Sequence, residues 1–300
     1  MISDNNAMTL QELLRWGGEY LAAADLCYGH GTDNANDEAA WLLLFALDLP
    51  VDEPIAEPDR LLSDAEVAKV KALLKRRAEE RLPAAYLTRQ AWFAGFAFYV
   101  DERVLVPRSP LAEPILSGFA DWLDPAGVER VLDLCSGSGC IGIACAYAFA
   151  DAQVDLADIS SDALDVAQIN IEQHGVAERV KVQQADLFAG LEDRRYDLIV
   201  SNPPYVDTAE MAQLSQEFEH EPKLGLAAGE LGLDIVQRML RDAGRFLTDH
   251  GVLVVEVGNS AQALEEFYPE VPFLWLQFEY GGEGVFMLTA DELKQYQGYF

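Results

Sequence analysis

The sequence predicts an α/β fold with a mainly parallel sheet, preceded by a small helical domain and followed by an antiparallel hairpin. Three observations support this prediction. From residue 128 onwards, apolar strand-like runs alternate with helical stretches, which is typical of a parallel sheet covered by helices. The first 90 residues carry capping signals typical of helices. Near the carboxyl end, two apolar runs flank Gly281 and Gly282, which favours a hairpin.

The helical domain is predicted over residues 1–90. Thr9 with Glu12, and Ser63 with Glu66, have the capping-box spacing in which two side chains satisfy backbone amides of a first helical turn. A proline-bearing stretch, LPVDEPIAEPDR, separates the two helical parts. Residues 91–110 are predicted to form a linker, in which the aromatic and β-branched run AWFAGFAFYVDERVLV indicates a β-hairpin. The α/β domain is predicted over residues 111–300.

Within the α/β domain, the sequence predicts strands that alternate with helices. The predicted strands are VERVLDLC (128–135), VDLADI (154–159), VKVQQAD (180–186), YDLIVS (196–201) and GVLVVEVG (251–258). Helices are predicted from about Cys140, from about Asp162 and over about 234–247, and the runs LWLQFEY and GVFMLTA form the terminal hairpin. Since the carboxyl ends of parallel strands meet at one edge of a sheet, polar residues that end these strands mark the expected ligand site.

The composition limits the classes of partner. The chain has 51 Asp and Glu residues against 21 Lys and Arg, a net charge of -30. Such a chain repels a phosphate backbone, so free DNA is a poor substrate candidate. A basic protein partner would be attracted, although solubility alone also explains the charge.

The chain is expected to be a soluble, cytoplasmic protein. No apolar run approaches the roughly 20 residues of a membrane-spanning helix, and the first residues do not resemble a signal peptide. The four cysteines are Cys27, Cys135, Cys140 and Cys145, and their spacing fits neither a disulfide framework nor a common zinc pattern. We therefore expect reduced thiols and no metal.

A glycine-rich turn follows the first predicted strand of the α/β domain. It comprises Asp133, Leu134, Cys135, Ser136, Gly137, Ser138 and Gly139. Such a turn alone is weak evidence, because dinucleotide enzymes and simple tight turns share it. However, it lacks the G-x-G-x-x-G spacing and the P-loop lysine, and the Asp133 carboxylate suits an ammonium group better than a phosphate.

Two further aspartates follow the next two predicted strands. Asp158 is placed to accept the hydroxyl groups of a ribose. Asp186 is placed to accept the exocyclic amine of an adenine, with Leu187 or Phe188 against the face of the base. Each aspartate alone is more often a helix cap or a solvated loop residue. Together, carboxylates for an ammonium, a ribose and an adenine describe S-adenosylmethionine, with S-adenosylhomocysteine as the product.

The segment Asn202, Pro203, Pro204 and Tyr205 follows the fourth predicted strand. Alone, it could be a rigid turn with a surface tyrosine. Next to a methyl donor, the Asn202 side-chain carbonyl and the Pro203 backbone carbonyl can accept the two hydrogens of an amide or amino nitrogen. The Tyr205 ring can pack against the flat group, while the prolines keep the acceptors rigid. Neither a metal nor a covalent intermediate is needed for this transfer.

These motifs resemble Rossmann-like class I S-adenosylmethionine-dependent methyltransferases that act on amide or exocyclic nitrogen. Three further segments are similar to the protein N5-glutamine methyltransferases: PAAYLT (83–88), FYVDERVLVPRSP (98–110), and HEP (220–222) with GLAAG (225–229). PRSP and the CSGSGC turn are similar to the branch that methylates the third large-subunit (50S) ribosomal protein. The release-factor branch usually reads PRPDTE and GTG at these places.

The resemblance implies roles for individual residues. The 133–137 turn, Asp158 and Asn202 would contact the cofactor, residues 202–205 would hold the glutamine, and the helical domain would recognise the substrate. Leu187 stands where release-factor enzymes often have tryptophan. Release-factor methylation, amino-methylation of nucleic acid and a non-catalytic binding module stay open as alternatives. A basic ribosomal protein as the substrate would also account for the acidic charge of this chain.

The basic cluster, His220 and Arg108 are each open to two interpretations. The basic cluster of Lys69, Lys71, Lys75, Arg76, Arg77 and Arg81 is expected to be a solvated face paired with glutamates, although contact with ribosomal RNA in an assembling subunit is an alternative. His220 is expected to pack rather than act as a base, and Arg108 to form a structural pair.

Overall fold

The computed structural model describes residues 8–51, 55–191 and 194–300. Residues 1–7 of the predicted helical domain and 52–54 of the proline-bearing stretch lie outside the described residues. The chain divides into two compact units: a helical unit, Met1–Gln90 with Ser215–His220, and an α/β unit, Ala91–Leu214 with Glu221–Phe300. Residues 91–110 lie in the second unit, and the sequence did not predict that Ser215–His220 belongs to the first.

The described residues of the helical unit form four α-helices. They are α1 Leu10–Ala22, α2 Ala35–Ala46, α3 Asp64–Glu80 and α4 Ala84–Thr88. Both predicted capping boxes are confirmed: Thr9 and Glu12 cap α1, and Ser63 and Glu66 cap α3 by reciprocal hydrogen bonds. These caps satisfy amides that have no partner within the helix, so they define where each helix begins.

A buried ion cluster lies in the core of the helical unit. The Arg77 side chain is fully buried, and its Nε donates to Glu38 Oε1 at 2.6 Å. Its other nitrogens donate to Glu217 Oε1 at 3.4 Å and to the Cys27 carbonyl at 2.9 Å, while Arg81 pairs with the second Glu217 oxygen at 3.2 Å. Burial raises the pKa of Glu38, which is the expected penalty for a carboxylate removed from water. Two arginines therefore balance two glutamates.

The predicted solvated face of α3 is only partly found. Arg76 pairs with Glu80 and Lys75 with Glu79 on the exposed side, as expected. The prediction was wrong for Arg77, because it points into the core, where Glu38 lies 39 positions away in the sequence. A one-residue step along a helix turns by about 100°, so neighbours in one basic run need not share a face.

The α/β unit begins with a short hairpin and continues into a seven-stranded sheet. The strands are β1 Ala91–Phe93, β2 Phe96–Phe98, β3 Arg130–Leu134, β4 Gln153–Asp158, β5 Val180–Gln184, β6 Tyr196–Ser201, β7 Leu247–Glu256, β8 Leu274–Trp275 and β9 Val285–Thr289. The helices are α5 Ala112–Leu116, α6 Cys140–Ala148, α7 Ser161–Gln173, α8 Thr208–Met211, α9 Asp234–Phe246, α10 Ala261–Phe267 and α11 Ala290–Gln295. All predicted strands are found, although the β1–β2 hairpin is shorter than the predicted run.

The sheet order is β5-β4-β3-β6-β7-β9-β8. The first five of these strands are parallel, and β9 pairs antiparallel with both β7 and β8, which confirms the terminal hairpin. The chain starts at β3, moves outward to β5 and then returns to the other side of β3 at β6. Open α/β sheets bind ligands at such a switch point, beyond the carboxyl ends of the strands. The residues that follow β3, β4 and β6 therefore lie where a ligand is expected.

The helix lengths and the cysteines can be compared with the sequence predictions. Within the described part of the chain, no helix has both the length and the apolar character needed to cross a membrane. All four cysteines are free, and Cys140 and Cys145 are buried in the core.

The ion cluster gives a test of the helical unit. Arg77→Ala leaves Glu38 and Glu217 buried with less compensation, so we expect a loss of about 3–5 kcal/mol in the free energy of unfolding. The matched control is Arg76→Ala, which removes an exposed pair and should cost less than about 1 kcal/mol. Urea denaturation of both variants measures the difference, and equal losses would contradict a structural role for the buried cluster.

Candidate active site

The glycine-rich turn between β3 and α6 is held by backbone hydrogen bonds. The Ser136 amide donates to the Ala157 carbonyl of β4 at 3.1 Å, and the Gly139 amide donates to the Ser136 carbonyl at 2.7 Å. Gly139 has a φ of +78°, and a side chain there would lie 2.8 Å from Leu156. Gly137 has a φ of +52° and open space around its missing Cβ. The turn is therefore packed against the sheet at Gly139 and open at Gly137.

Asp133 is a buried carboxylate with incomplete hydrogen bonding. It lies on β3, has no exposed surface, and accepts at Oδ2 from the Gly142 amide at 2.8 Å. Its Oδ1 is buried and accepts no hydrogen bond from the described residues. Ser136 Oγ is also buried and has no hydrogen-bond partner among them. Burial raises the pKa of Asp133 to about 8, and the charge of Asp158 adds to this. Asp133 Oδ1 can therefore accept one more hydrogen bond, and a cationic donor compensates a buried carboxylate best.

Asp158 joins the glycine-rich turn to the start of α7. Its Oδ2 accepts from the Gly137 amide and its Oδ1 from the Ser160 amide, both at 2.9 Å. Burial raises the pKa of this carboxyl as well, and the two amides offset part of that effect. Each oxygen keeps a lone pair for a further donor.

The third predicted carboxylate, Asp186, is more exposed than Asp133 and Asp158. Asp186 follows β5 by two residues, is exposed, and pairs with Arg238 at 2.8 Å. Phe188 stacks on Phe246 with ring centroids 4.6 Å apart, so its ring is part of the core. Leu187 is buried and has a φ of +54°. Leu187 and Phe188 were the two side chains predicted to cover an adenine. One face of the Phe188 ring is thus occupied by Phe246.

The segment Asn202–Tyr205 continues from β6 at the same sheet edge. Ser201 Oγ, at the end of β6, donates to the Leu134 carbonyl at the end of β3 at 2.7 Å. This bond ties the start of the segment to the start of the glycine-rich turn. Asn202 and Pro204 are half-buried and Pro203 is buried. The structure thus brings Asp133, Asp158 and Asn202 to one edge, at the ends of three adjacent strands.

Tyr205 is held at several points. Its hydroxyl donates to Glu256 Oε1 at 3.0 Å, and its carbonyl accepts from Ser260 Oγ at 2.9 Å. A side chain at Gly258 would lie 2.6 Å from the Tyr205 ring, so only glycine permits this close approach. The ring is therefore fixed by its neighbours and is not a mobile surface group.

Sequence reasoning missed several residues of this arrangement. Glu256 ends β7 and accepts from Ser109 Oγ at 2.5 Å in addition to Tyr205. Burial raises the pKa of Glu256 to about 7, while the two hydroxyl donors and Arg108 lower it. The signal was available, because Glu256 ends a parallel strand as Asp158 does. Asn170, whose side chain donates to the Ser138 carbonyl at 2.9 Å, had no such signal.

Arg108 and His220 have the packing roles that the sequence favoured. Arg108 binds both carboxylate oxygens of Glu221, at 2.7 and 2.6 Å, and Glu221 is buried. The Val106 amide also donates to Glu221, at 3.0 Å. In the helical unit, His220 Nε2 lies 2.9 Å from the Glu80 carbonyl oxygen. Both side chains therefore have structural contacts.

Comparison with known proteins places this geometry in context. The model described as Methyltransferase small domain matches residues 119–231, and the PrmC N-terminal domain matches residues 12–88. The ribosomal protein uL3 glutamine methyltransferase of Neisseria meningitidis serogroup B is 48% identical over 287 residues, which covers 95% of this chain and 94% of that protein. The protein of the same description from Neisseria gonorrhoeae is 49% identical over 95% of both chains. Among solved structures, the hMettl16 catalytic domain in complex with MAT2A 3'UTR hairpin 6 is 17% identical over 78% of this chain and 85% of that chain, with a TM-score of 0.49.

The unpaired Asp133 oxygen gives a test that needs no substrate. A carboxyl whose pKa is higher in the folded than in the unfolded state contributes stability that is complete below the unfolded pKa and is lost as pH rises through the folded pKa. For Asp133, this contribution to stability is lost as the pH rises from about 4 to about 8.

Asp133→Asn keeps an acceptor for the Gly142 amide but cannot ionise. We expect the ligand-free variant to gain stability relative to the wild type as pH rises from 5 to 8.5, by on the order of a few kcal/mol. Urea denaturation of both proteins at each pH measures this difference. Parallel stability curves for the two proteins would show that Asp133 does not titrate in this range.

Proposed function

Because this chain belongs to the ribosomal protein uL3 glutamine methyltransferase family, we propose that it transfers a methyl group from S-adenosylmethionine to the side-chain nitrogen of a glutamine in that ribosomal protein. The two relatives confirm the ribosomal-protein branch that the PRSP and CSGSGC segments favoured over the release-factor branch. One observation of the structure carries the assignment to this site. The Ser201 hydrogen bond to Leu134 holds the Asn202–Tyr205 segment beside the glycine-rich turn.

The residues of the turn fit an amino-acid sulfonium cofactor. The buried, unpaired Asp133 Oδ1 and Ser136 Oγ can take the ammonium group, and both lack any other described partner. Leu134, Cys135 and Gly139 set the path of the turn, and Gly137 leaves space for the ligand. Asp158 has a free lone pair on each oxygen for ribose hydroxyls. S-adenosylmethionine supplies a methyl group on a positively charged sulfur, which a nitrogen lone pair can accept.

The adenine end of the proposed site lies after β5. We assign Asp186 and Leu187 to it, because they follow the third strand at the same sheet edge. Asp186 is exposed and would have to share its carboxylate between the base and Arg238. Leu187 has the left-handed backbone conformation, and the following residue, Phe188, packs in the core.

Residues 202–205 orient the glutamine amide. An amide nitrogen is a weak nucleophile, because its lone pair is delocalised into the carbonyl group. Acceptance of its two hydrogens by the Asn202 side-chain carbonyl and the Pro203 backbone carbonyl fixes the nitrogen and directs its lone pair. The Tyr205 ring provides a flat wall for the amide. Since Pro203 and Pro204 fix their own φ angles, these acceptors need little rearrangement when the substrate arrives.

The charge distribution supports a basic protein substrate. The net charge of -30 favours encounter with a positively charged partner through long-range attraction. We assign substrate recognition to the helical unit, which is the part of the chain matched by the PrmC N-terminal domain. The alternative contact with ribosomal RNA through α3 has less support, because Arg77 is buried and Lys75 and Arg76 are paired with glutamates.

Transfer of labelled methyl groups tests the proposal. We expect the purified protein to label uL3 and not a peptide-chain release factor, and mass spectrometry should place the methyl group on a glutamine. Asn202→Ala should lower kcat/KM by about a hundredfold, because it removes one of two preorganised acceptors. Gln153→Ala, which removes an exposed side-chain amide at the first residue of β4 and so at the opposite edge of the sheet, is the matched control and should keep full activity.

Three outcomes would contradict this assignment in different ways. Label in release factor alone would place the chain in the other branch. Salt-sensitive labelling of an oligonucleotide would indicate a nucleic-acid enzyme. Full activity of Asn202→Ala would remove Asn202 from the reaction.

A further inference from the structure

The hydroxyl group of Ser109, outside the Asn202–Tyr205 segment, donates a hydrogen bond to Glu256, the carboxylate that also accepts from Tyr205. Glu256 is the last residue of β7 and only 3% exposed. Its two oxygens have different donors: Tyr205 donates to Oε1 at 3.0 Å and Ser109 donates to Oε2 at 2.5 Å. Tyr205 and Ser109 are thus linked through one buried carboxylate, although they are far apart in the sequence.

The direction of the Ser109 hydrogen bond is fixed by its surroundings. Ser109 Oγ accepts from the Leu111 amide at 3.2 Å, so its proton is directed to Glu256. On the preceding residue, Arg108 binds both oxygens of the buried Glu221. The segment around Ser109 is therefore held at two adjacent positions and presents the hydroxyl to Glu256 with little freedom.

Tyr205 itself depends on the Glu256 contact for the position of its phenol end. Its backbone end is fixed by Ser260, and Gly258 leaves room for the ring on one side. At the far end, the backbone of Gly258 packs against the ring, and the hydroxyl bond to Glu256 sets the direction of the phenol oxygen. A buried carboxylate with two hydroxyl donors is better stabilised in one orientation than a carboxylate with one donor, because each bond restricts its rotation.

We propose that Ser109 is a positioning residue for the methyl acceptor: through Glu256, its hydroxyl fixes the direction in which Tyr205 faces the substrate amide. This proposal rests on the assignment of residues 202–205 to the glutamine. Ser109 touches neither substrate nor cofactor in this scheme and acts only through Glu256 and Tyr205.

The test is a double-mutant cycle on methyl transfer. Ser109→Ala should lower kcat by about tenfold, the effect of about one net hydrogen bond, and leave the dissociation constant of S-adenosylmethionine unchanged. Ser109→Thr keeps the hydroxyl and should restore activity. In a Tyr205→Phe background, which lacks the hydroxyl bond to Glu256, Ser109→Ala should cause no further loss.

The matched control is Ser117→Ala. Ser117 lies on the same segment of chain, is exposed, and donates to the Pro114 carbonyl at 3.0 Å without any link to Glu256. It should keep the wild-type kcat. Thermal melting of all variants shows whether a loss of activity reflects unfolding.

Several results would overturn the proposal. These are a loss from Ser109→Ala that is equally large with Phe at position 205, a loss from Ser109→Thr as large as that from Ser109→Ala, or an unchanged kcat in Ser109→Ala. A crystal structure of the Ser109→Ala variant gives a readout independent of the substrate, in which we expect the Tyr205 ring to leave its single position. If the wild-type protein labels neither uL3 nor release factor, the proposed function fails, whereas an unmoved Tyr205 ring in that crystal structure refutes the positioning role.

Discussion

Burial of carboxylates at one edge of a parallel sheet is the constraint on which the α/β unit depends. Asp133, Asp158 and Glu256 lie at the ends of β3, β4 and β7, and burial raises the pKa of each. A carboxylate removed from water must be compensated by hydrogen bonds. Asp158 has two backbone amides and Glu256 has two hydroxyl groups, but Asp133 has a single amide. Asp133, which has the fewest hydrogen bonds of the three, is thus the one assigned to a cationic ligand, and the other two carboxylates fix the chain around it.

The helical unit meets the same physical requirement with a different solution. Its buried carboxylates, Glu38 and Glu217, are neutralised by Arg77 and Arg81. Glu217 belongs to Ser215–His220, a segment that leaves the α/β unit after Leu214. The chain re-enters the α/β unit at Glu221, and this residue is bound at once by Arg108. A buried carboxylate within the segment, Glu217, and another just after it, Glu221, thus each have charge-assisted hydrogen bonds, which are stronger than neutral ones.

Sequence reasoning succeeded where the structure is governed by local chemistry. The capping boxes at Thr9 and Ser63, the parallel strands, and the location of Asp133, Asp158 and Asn202 at strand ends all follow from short-range patterns. It failed where the partner is distant in the sequence. Nothing near Arg77 shows that Glu38 and Glu217 surround it, and nothing near Phe188 predicts stacking on Phe246. Such contacts exist only after the chain has folded, so a single sequence carries no direct record of them.

The buried hydroxyl, thiol and carboxyl groups near the proposed acceptor segment are suited to a positioning role. Burial raises the pKa of the Tyr205 hydroxyl, and the neighbouring Glu256 raises it further, so the phenol stays protonated and cannot serve as a base. Burial, together with Asp158 and Asp133, likewise raises the pKa of the Cys135 thiol, which keeps it from acting as a nucleophile. Both oxygens of Glu256 already accept hydroxyl protons. Methyl transfer to an amide needs no proton removal before the new bond forms, since the positively charged nitrogen that results loses its proton readily to solvent. The groups around the acceptor segment are therefore suited to holding an amide in a fixed position.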